Sequence, residues 1–206
     1  MKKLYHFYSR LLYTARRWIY FITGLAFLWA VVGAWSSITF PGLWPIFLDY
    51  LQKTFEDILG DIGSQSHLQL ALGLFKQNAA ASAYDLFFGL GLGLLPVFSI
   101  VLNFFAVGFL AGPYLTPSLF PQIPGTFGLF ALSIIPHGIF ELPALLLATA
   151  FGLRLGWLWL LPSSSGQRGR VLKKTVLENL AIAPLIVVLL ALAAFVESFV
   201  TTWLVQ

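Results

Sequence analysis

Long apolar runs separated by short polar segments dominate the chain. Residues 18–35 carry no charged side chain, and residues 79–120 carry a single one. Two further apolar runs cover residues 125–161 and 179–205. A bilayer core of about 30 Å needs about 20 apolar helical residues. The run over 79–120 is long enough for two spans, so the pattern predicts about five transmembrane helices.

Prolines fall inside two of these runs. Pro136 and Pro143 interrupt the run over 125–161, and a proline inside a helix removes one backbone hydrogen bond. We therefore predict a fourth span that is broken or strongly kinked. In the run over 79–120, Pro96 and the glycines before it mark the turn between two spans.

Two segments outside the apolar runs are amphipathic. In the basic segment 1–17, apolar residues recur at helical spacing, which predicts a helix lying on an anionic leaflet. A second stripe in segment 36–78 predicts an extracellular interfacial helix that rests on the bilayer or bundle, or docks a partner. Its apolar positions are Leu43, Phe47, Leu51, Phe55, Leu59 and Ile62, and its polar positions are Asp49, Gln52, Lys53, Glu56 and Asp57.

Composition excludes the common soluble classes. The 206 residues are 59% hydrophobic and only 10% charged, whereas a soluble domain carries about 25% charged residues. Such a chain cannot cover the surface of a water-soluble enzyme, and it is too apolar to be disordered. We predict an all-α membrane helical bundle, one domain over residues 1–206 with its core at 79–205. The chain has no cysteine, which excludes disulfides and thiolate metal sites.

The basic residues are unevenly distributed. Of the 12 Lys and Arg residues, nine lie in segments 1–17 and 162–176, and two lie in segment 36–78. Segments rich in Lys and Arg face the cytoplasm. We therefore predict a multi-pass plasma-membrane protein with a cytoplasmic N-terminus. The same clustering favours anionic lipids at the basic N-terminus, and not nucleic acid, as the partner.

Three glycine pairs have the spacing that lets membrane helices approach closely. They are Gly89 and Gly93, Gly108 and Gly112, and Gly152 and Gly156. Together they predict a compact bundle, and they also offer a face for a homodimer.

A few polar side chains interrupt the apolar runs, where they are costly and therefore informative. His137 and Glu141 share a helix face at i, i+4 spacing, and Glu197 lies in the last predicted span. The remaining members of this set are Asn78, Asn103 and Thr201. Three interpretations stay open: hydrogen bonds between helices, a proton- or ion-coupled transport site, and a metal site with His137, Glu141 and Glu197 as its three ligands.

Motifs for catalysis are weak. His137 has no second histidine at the spacing of a zinc-protease helix, and no serine nucleophile is placed beside it by the sequence. Nucleotide binding is not supported either, because no glycine-rich loop stands between a strand and a helix. We therefore expect no enzymatic activity and no cofactor, with the metal ion as the alternative.

One run resembles the Pro-His-Gly-x-x-Glu signature of the stage II sporulation protein M family: Pro136-His137-Gly138-Ile139-Phe140-Glu141. Shorter matches follow the family's order at Phe75-Lys76-Gln77-Asn78, at Asn103 and at Glu197-Ser198-Phe199-Val200-Thr201. The resemblance covers residues 18–203. The chain departs from the family pattern at Gln77, Phe104 and Thr202, and none of these changes removes an ionisable group.

The resemblance implies a multi-spanning plasma-membrane protein that is not a recognised enzyme. The sporulation member of the family is a membrane scaffold that brings cell-wall hydrolases together at the septum. We accordingly expect a membrane-embedded scaffold or anchor for membrane or extracytoplasmic protein partners. The alternatives are a transporter or channel-like module that uses His137, Glu141, Glu197 and Asn103, and a membrane-embedded metallo-hydrolase.

Overall fold

The computed structural model of the chain is a bundle of helices. It describes residues 2–59, 66–90, 93–121, 123, 126–160 and 167–201. Within these ranges it describes all side chains except those of residues 52, 54–59, 90, 129, 133, 137, 159, 160, 200 and 201. Every regular element in the described ranges is helical, which confirms the predicted all-α membrane fold.

Six helices follow one another along the chain. They are α1 (Lys2–Thr39), α2 (Trp44–Leu59), α3 (His67–Phe87), α4 (Leu94–Leu115), α5 (Phe127–Leu160) and α6 (Arg168–Val196), which continues in a π-helical turn (Glu197–Thr201). Among the described residues, α1, α4, α5 and α6 each contain a stretch that is long and apolar enough to cross a membrane. The predicted count of five is approximate, because α3 has 21 residues but is not among the helices with a stretch apolar enough to qualify.

Contacts between α1 and α4 show that these two helices run parallel. Ile22 of α1 packs in one cluster with Ile100 of α4. Farther along both helices, Ser37 lies against Gly112. Because α1 and α4 point the same way, the chain between them has to return to the end of the bundle where α1 begins.

α3 makes this return. The Asp85 carbonyl lies against Gly152 of α5, and the Gly89 carbonyl directly after α3 lies against Gly156, so α3 and α5 are parallel. Trp18 of α1 lies beside Trp157 of α5, and farther along α1 Ile22 lies in one cluster with Leu153, so α5 and the parallel α3 run opposite to α1. The end where α1 and α6 begin carries nine cations, and we call it the basic end: Lys2, Lys3, Arg10, Arg16, Arg17, Arg168, Arg170, Lys173 and Lys174.

Two helices begin earlier than the apolar runs predicted. α3 starts at His67 instead of residue 79, and α6 starts at Arg168 instead of residue 179. The start of α3 is fixed by a capping box, in which the Ser66 hydroxyl accepts from the Gln69 amide at 3.3 Å. Hydropathy marks only the apolar part of each helix, whereas the helix itself continues into polar residues.

α5 is continuous through both of its prolines. Of the two predicted forms of the fourth span, broken or strongly kinked, the continuous helix excludes the break. Each proline removes one backbone hydrogen bond. After the second proline, α5 is stabilised by packing against neighbouring helices through three fully buried residues: Ala144, Ala148 and Phe151.

The basic segment 1–17 is the first part of α1 and not a separate helix on the leaflet. α1 runs without interruption for 38 residues. Leu11 and Ala15, from the apolar stripe of this segment, are buried in one cluster with Ile182 and Ile186 of α6. The stripe is apolar because it packs on the bundle.

α2 is anchored on α4 by aromatic contacts. The Trp44 ring stacks on Phe109 with their centroids 5.9 Å apart, and Phe47 lies 4.6 Å from the same ring. On the opposite face of α2, Lys53 Nζ donates to Asp49 Oδ2 at 2.8 Å in an exposed salt bridge. The helix therefore has one face on the bundle and one that is open.

Candidate functional site

Buried polar side chains are concentrated where α3, α5 and α6 meet, in the half of the bundle nearer the basic end. We call this set the polar seam, and it consists of Asp85, Thr149, Arg154, Glu178 and Asn179. Apart from the partly buried Glu178, its members are at most 6% exposed. Buried polar groups in a membrane protein require partners within the protein.

Asp85 joins three helices. Its Oδ2 accepts a hydrogen bond from Thr149 Oγ1 of α5 at 3.1 Å. Ser99 of α4 also bonds to the Asp85 carboxyl group through its side chain. The single acid in the run over 79–120 is therefore held by two hydroxyl groups from different helices.

Asn179 connects α6 to the other two helices of the seam. Its Nδ2 donates to the Leu86 carbonyl at 2.6 Å and to the Phe151 carbonyl at 3.5 Å. The Leu86 carbonyl belongs to the last turn of α3, where helix carbonyls have no partner within the helix. Asn179 thus connects the last turn of α3 to α6.

Arg154 and Glu178 form an ion pair between α5 and α6. Arg154 Nη1 lies 2.6 Å from Glu178 Oε2, and their side chains are only 8% and 16% exposed. The sequence analysis did not select this pair. Arg154 is the only Lys or Arg residue of α5, and Glu178 is the only acidic residue of α6. These two opposite charges in largely apolar helices are the signal from which the ion pair could have been predicted.

The six predicted glycines lie at helix contacts within this chain. A Cβ atom on Gly152 would collide with the Asp85 carbonyl, and one on Gly156 would collide with the Gly89 carbonyl. Gly93 has a φ of 70°, which a glycine adopts without strain, at the start of α4. In the α1–α4 contact, Gly108 meets the Ala30 carbonyl and Gly112 meets Ser37. These glycines are therefore covered by the chain's own helices and are not free to form a homodimer face.

The predicted intramembrane polar residues lie on α3, α4, α5 and the turn that ends α6. Asn103 is exposed on α4, and its Nδ2 donates to the Ser99 carbonyl one turn earlier at 2.9 Å. Asn78 on α3 and Glu141 on α5 are partly buried. Asn78 directly precedes Ala79, and Glu141 lies one turn before Ala144. Ala79 and Ala144 both belong to the same hydrophobic cluster. Glu197 is partly buried in the π-helical turn that ends α6.

The proposed metal ligands are only partly described. The side chains of His137 and Thr201 lie outside the described residues. Among the side chains that the structure describes, no group of three His, Asp or Glu residues is placed to hold a metal. The site formed by His137, Glu141 and Glu197 stays a prediction.

His67 is a polar contact that sequence reasoning missed. Its Nδ1 donates to the Ser198 carbonyl at 2.7 Å, and its ring lies 5.5 Å from the Phe199 ring. The contact ties the first turn of α3 to the π-helical turn after α6. His67 lies outside every apolar run, so hydropathy alone gave no reason to select it.

Comparison with known proteins identifies the family. The model of the family described as Stage II sporulation protein M matches residues 19–202. No curated protein and no solved structure matches the chain. The family match covers most of the chain and agrees with the resemblance found over residues 18–203. The chain is therefore a multi-pass membrane protein that belongs to the stage II sporulation protein M family.

Proposed function

We propose that the protein is a membrane-embedded scaffold or anchor for membrane or extracytoplasmic protein partners. The observation that carries the proposal is the polar seam, whose groups bond to other helices of the same chain. A transport pathway uses polar groups that exchange their partners with solute or water. Groups that hold helices together instead favour a bundle of fixed shape, which suits a scaffold.

The proposed location is the plasma membrane, with the basic end in the cytoplasm. Nine cations lie on α1 and α6 at that end, and Lys and Arg are enriched on the cytoplasmic side of membrane proteins. α2, which follows the other end of α1, then lies on the extracytoplasmic side. This orientation places its open face where an extracytoplasmic partner reaches it.

The open face of α2 is the proposed partner surface. Ile46 is 66% exposed, and the Asp49–Lys53 salt bridge lies on the same side of the helix. An apolar side chain beside a paired acid and base is suited to contact with a protein, since lipid would not solvate the charges. Trp44 and Phe47 fix the helix on α4 and so hold this face in place.

The experiment that tests the proposal against transport uses purified protein in liposomes. A pH gradient is applied with a panel of solutes, and flux is compared between protein-containing and protein-free vesicles. The proposal predicts the same flux in both, and Glu141→Gln leaves it unchanged. Protein-dependent flux that Glu141→Gln abolishes without loss of folded protein would establish the transporter alternative.

The scaffold role involves neither catalysis nor a resident metal. Metal analysis of the purified protein provides the check, because a structural or catalytic metal is present near one equivalent per chain. Less than about 0.1 metal per chain is expected. One equivalent that is lost in Glu141→Gln would instead favour the metallo-hydrolase alternative.

A further inference from the structure

A groove opens at the basic end between the first turns of α1 and those of α6. Its volume is about 610 Å³, within the range of about 300–1,000 Å³ that is typical of ligand pockets. Its α1 wall consists of Phe7, Arg10, Leu11 and Thr14. These positions have i, i+3, i+4 and i+7 spacing, so one face of the helix forms the wall.

The α6 wall is strongly basic. Arg170, Lys173 and Lys174 line the groove from α6 and face Arg10 from α1. All four side chains are exposed, so they are free to turn towards an anion. Four cations around one groove favour a ligand that carries phosphate, because both Lys and Arg bind phosphate oxygens strongly.

The acid that lines the groove does not offset this charge. Glu178 lies at its inner side, where Arg154 of α5 binds the carboxylate at 2.6 Å. The acid's charge is therefore already neutralised by a residue outside the groove. The net charge offered to a ligand is that of the four cations.

Apart from the Thr14 hydroxyl, the rest of the lining is apolar. Phe7 and Leu11 contribute from α1, and Leu177 and Ala181 contribute from α6 beyond the cations. A soluble phosphate would need the cations alone, whereas a phospholipid uses the cations for its headgroup and the apolar wall for an acyl chain. The lining therefore favours a lipid over a soluble anion.

The position of the groove along the bundle agrees with a lipid ligand. Trp18 and Trp157 lie next to each other with ring centroids 6.2 Å apart, and tryptophan is enriched at the headgroup level of membrane proteins. Arg10 lies eight residues before Trp18 in the same helix, or about 12 Å. Arg10 of the groove therefore lies within about 12 Å of a tryptophan pair of the kind found at the headgroup level.

We propose that the groove binds an anionic phospholipid, with the headgroup phosphate held by Arg10, Lys173 and Lys174 and an acyl chain on Leu177 and Ala181. Basic pockets between membrane helices on the cytoplasmic side are a known form of lipid site. The proposal goes beyond the scaffold role and shares with it only the orientation of the basic end. Lipid binding is measured on purified protein without partners, so its failure leaves the scaffold proposal standing.

The test measures which lipids the purified full chain retains. The protein is reconstituted in vesicles of equal phosphatidylglycerol and phosphatidylcholine, extracted gently, and its bound lipids are counted by native mass spectrometry. Wild-type protein is expected to retain phosphatidylglycerol preferentially. The triple variant Arg10→Gln, Lys173→Gln, Lys174→Gln should lose this preference by roughly a hundredfold, since each cation near an anionic lipid contributes about fivefold.

A matched variant separates the groove from general surface charge. Arg16→Gln, Arg17→Gln, Arg168→Gln removes three cations at the same end that do not line the groove. It should retain phosphatidylglycerol as the wild type does. Equal loss in both triple variants, or no loss in either, would overturn the proposal.

A second variant keeps every charge and fills the groove. Thr14 is exposed on the α1 wall, so Thr14→Trp places a large ring in the cavity without disturbing the buried core. It should lower phosphatidylglycerol retention at least tenfold, and retention at the wild-type level would contradict the proposal. Glycerol phosphate is added as the soluble competitor. Displacement of the lipid by millimolar glycerol phosphate would identify a soluble anion as the ligand and overturn the assignment.

Discussion

At the scale of single residues, the bundle depends on a small number of buried polar contacts and close backbone approaches. Arg154 and Glu178 form an ion pair with little access to water, and Asn179 donates to two helices at once. Removing one partner of a buried pair leaves the other charge without compensation, which is far more destabilising than losing an exposed pair. The seam is therefore the place where substitutions should show most clearly in stability.

We predict that Arg154→Gln destabilises the protein strongly, by about 3–5 kcal/mol, because Glu178 is left buried without its counter-ion. The double variant Arg154→Gln, Glu178→Gln should be more stable than Arg154→Gln alone. The control is Lys53→Gln, which breaks the exposed pair with Asp49 and should change stability by less than about 1 kcal/mol. Unfolding in detergent micelles measures all three. Equal effects at Arg154 and Lys53 would show that the pair is not buried in the folded protein.

Close approach of helices gives a second prediction. Gly152→Ala should destabilise the bundle by about 1–3 kcal/mol, since overpacking forces the backbone of α3 away from α5. The new Cβ atom would meet the Asp85 carbonyl, whereas a Cβ on Gly24 of α1 meets no atom within 4 Å. Gly24→Ala is therefore the matched control and should be neutral or slightly stabilising. A thermal unfolding midpoint for Gly152→Ala as high as that of Gly24→Ala would contradict the packing.

At the scale of helices, the direction of α3 decides the topology. α1 and α4 are parallel, so α3 has to return through the bundle although it is not among the helices with a stretch apolar enough to qualify as a span. The prolines of α5 illustrate the opposite difficulty, because they suggested a break in a helix that is continuous. Hydropathy and proline positions report local preference, whereas packing against neighbouring helices decides where each helix starts and whether it continues.

The absence of cysteine in the native chain makes this topology testable. Single cysteines replace Lys53 on α2, Ser118 after α4 and Gly169 at the start of α6, all of which are exposed. If α3 crosses the membrane, Lys53→Cys and Ser118→Cys react with an impermeant maleimide from one side of the membrane. Gly169→Cys then reacts only from the other. Labelling of Lys53→Cys and Ser118→Cys from opposite sides would mean that α3 does not cross.

At the scale of the whole molecule, the sequence predicts the fold class and the family more readily than the site. Apolar runs and clustered cations are long-range averages, so they predict a multi-pass helical protein even where the start of a helix is misplaced by 11 or 12 residues. The family signature around Pro136 and Glu141 is local and specific, and it agrees with the family match over residues 19–202. Neither signal shows which polar groups meet in space.

The polar seam is formed by contacts between residues that are far apart in the chain. Asp85 and Thr149 are 64 residues apart in the chain, and Asn179 reaches Leu86 across 93 residues. Spacing rules connect residues within one helix turn or two, so they selected His137 with Glu141 and could not select these pairs. Asn103 is the opposite case, a residue that the sequence selected and that makes no described contact of this kind. It lies in an apolar run, but its side chain bonds to Ser99 of its own helix and is exposed.

The central claim is that the bundle holds protein partners through the open face of α2. Its most direct test is photo-crosslinking in living cells, with a photoreactive amino acid at Ile46 or Lys53. Matched probes at Phe98 and Leu102 lie on α4, where both side chains are exposed on the apolar surface of the bundle. The account predicts discrete protein adducts from the α2 positions and none from the α4 positions. The absence of any adduct from α2 beyond those obtained at Phe98 and Leu102 would contradict it.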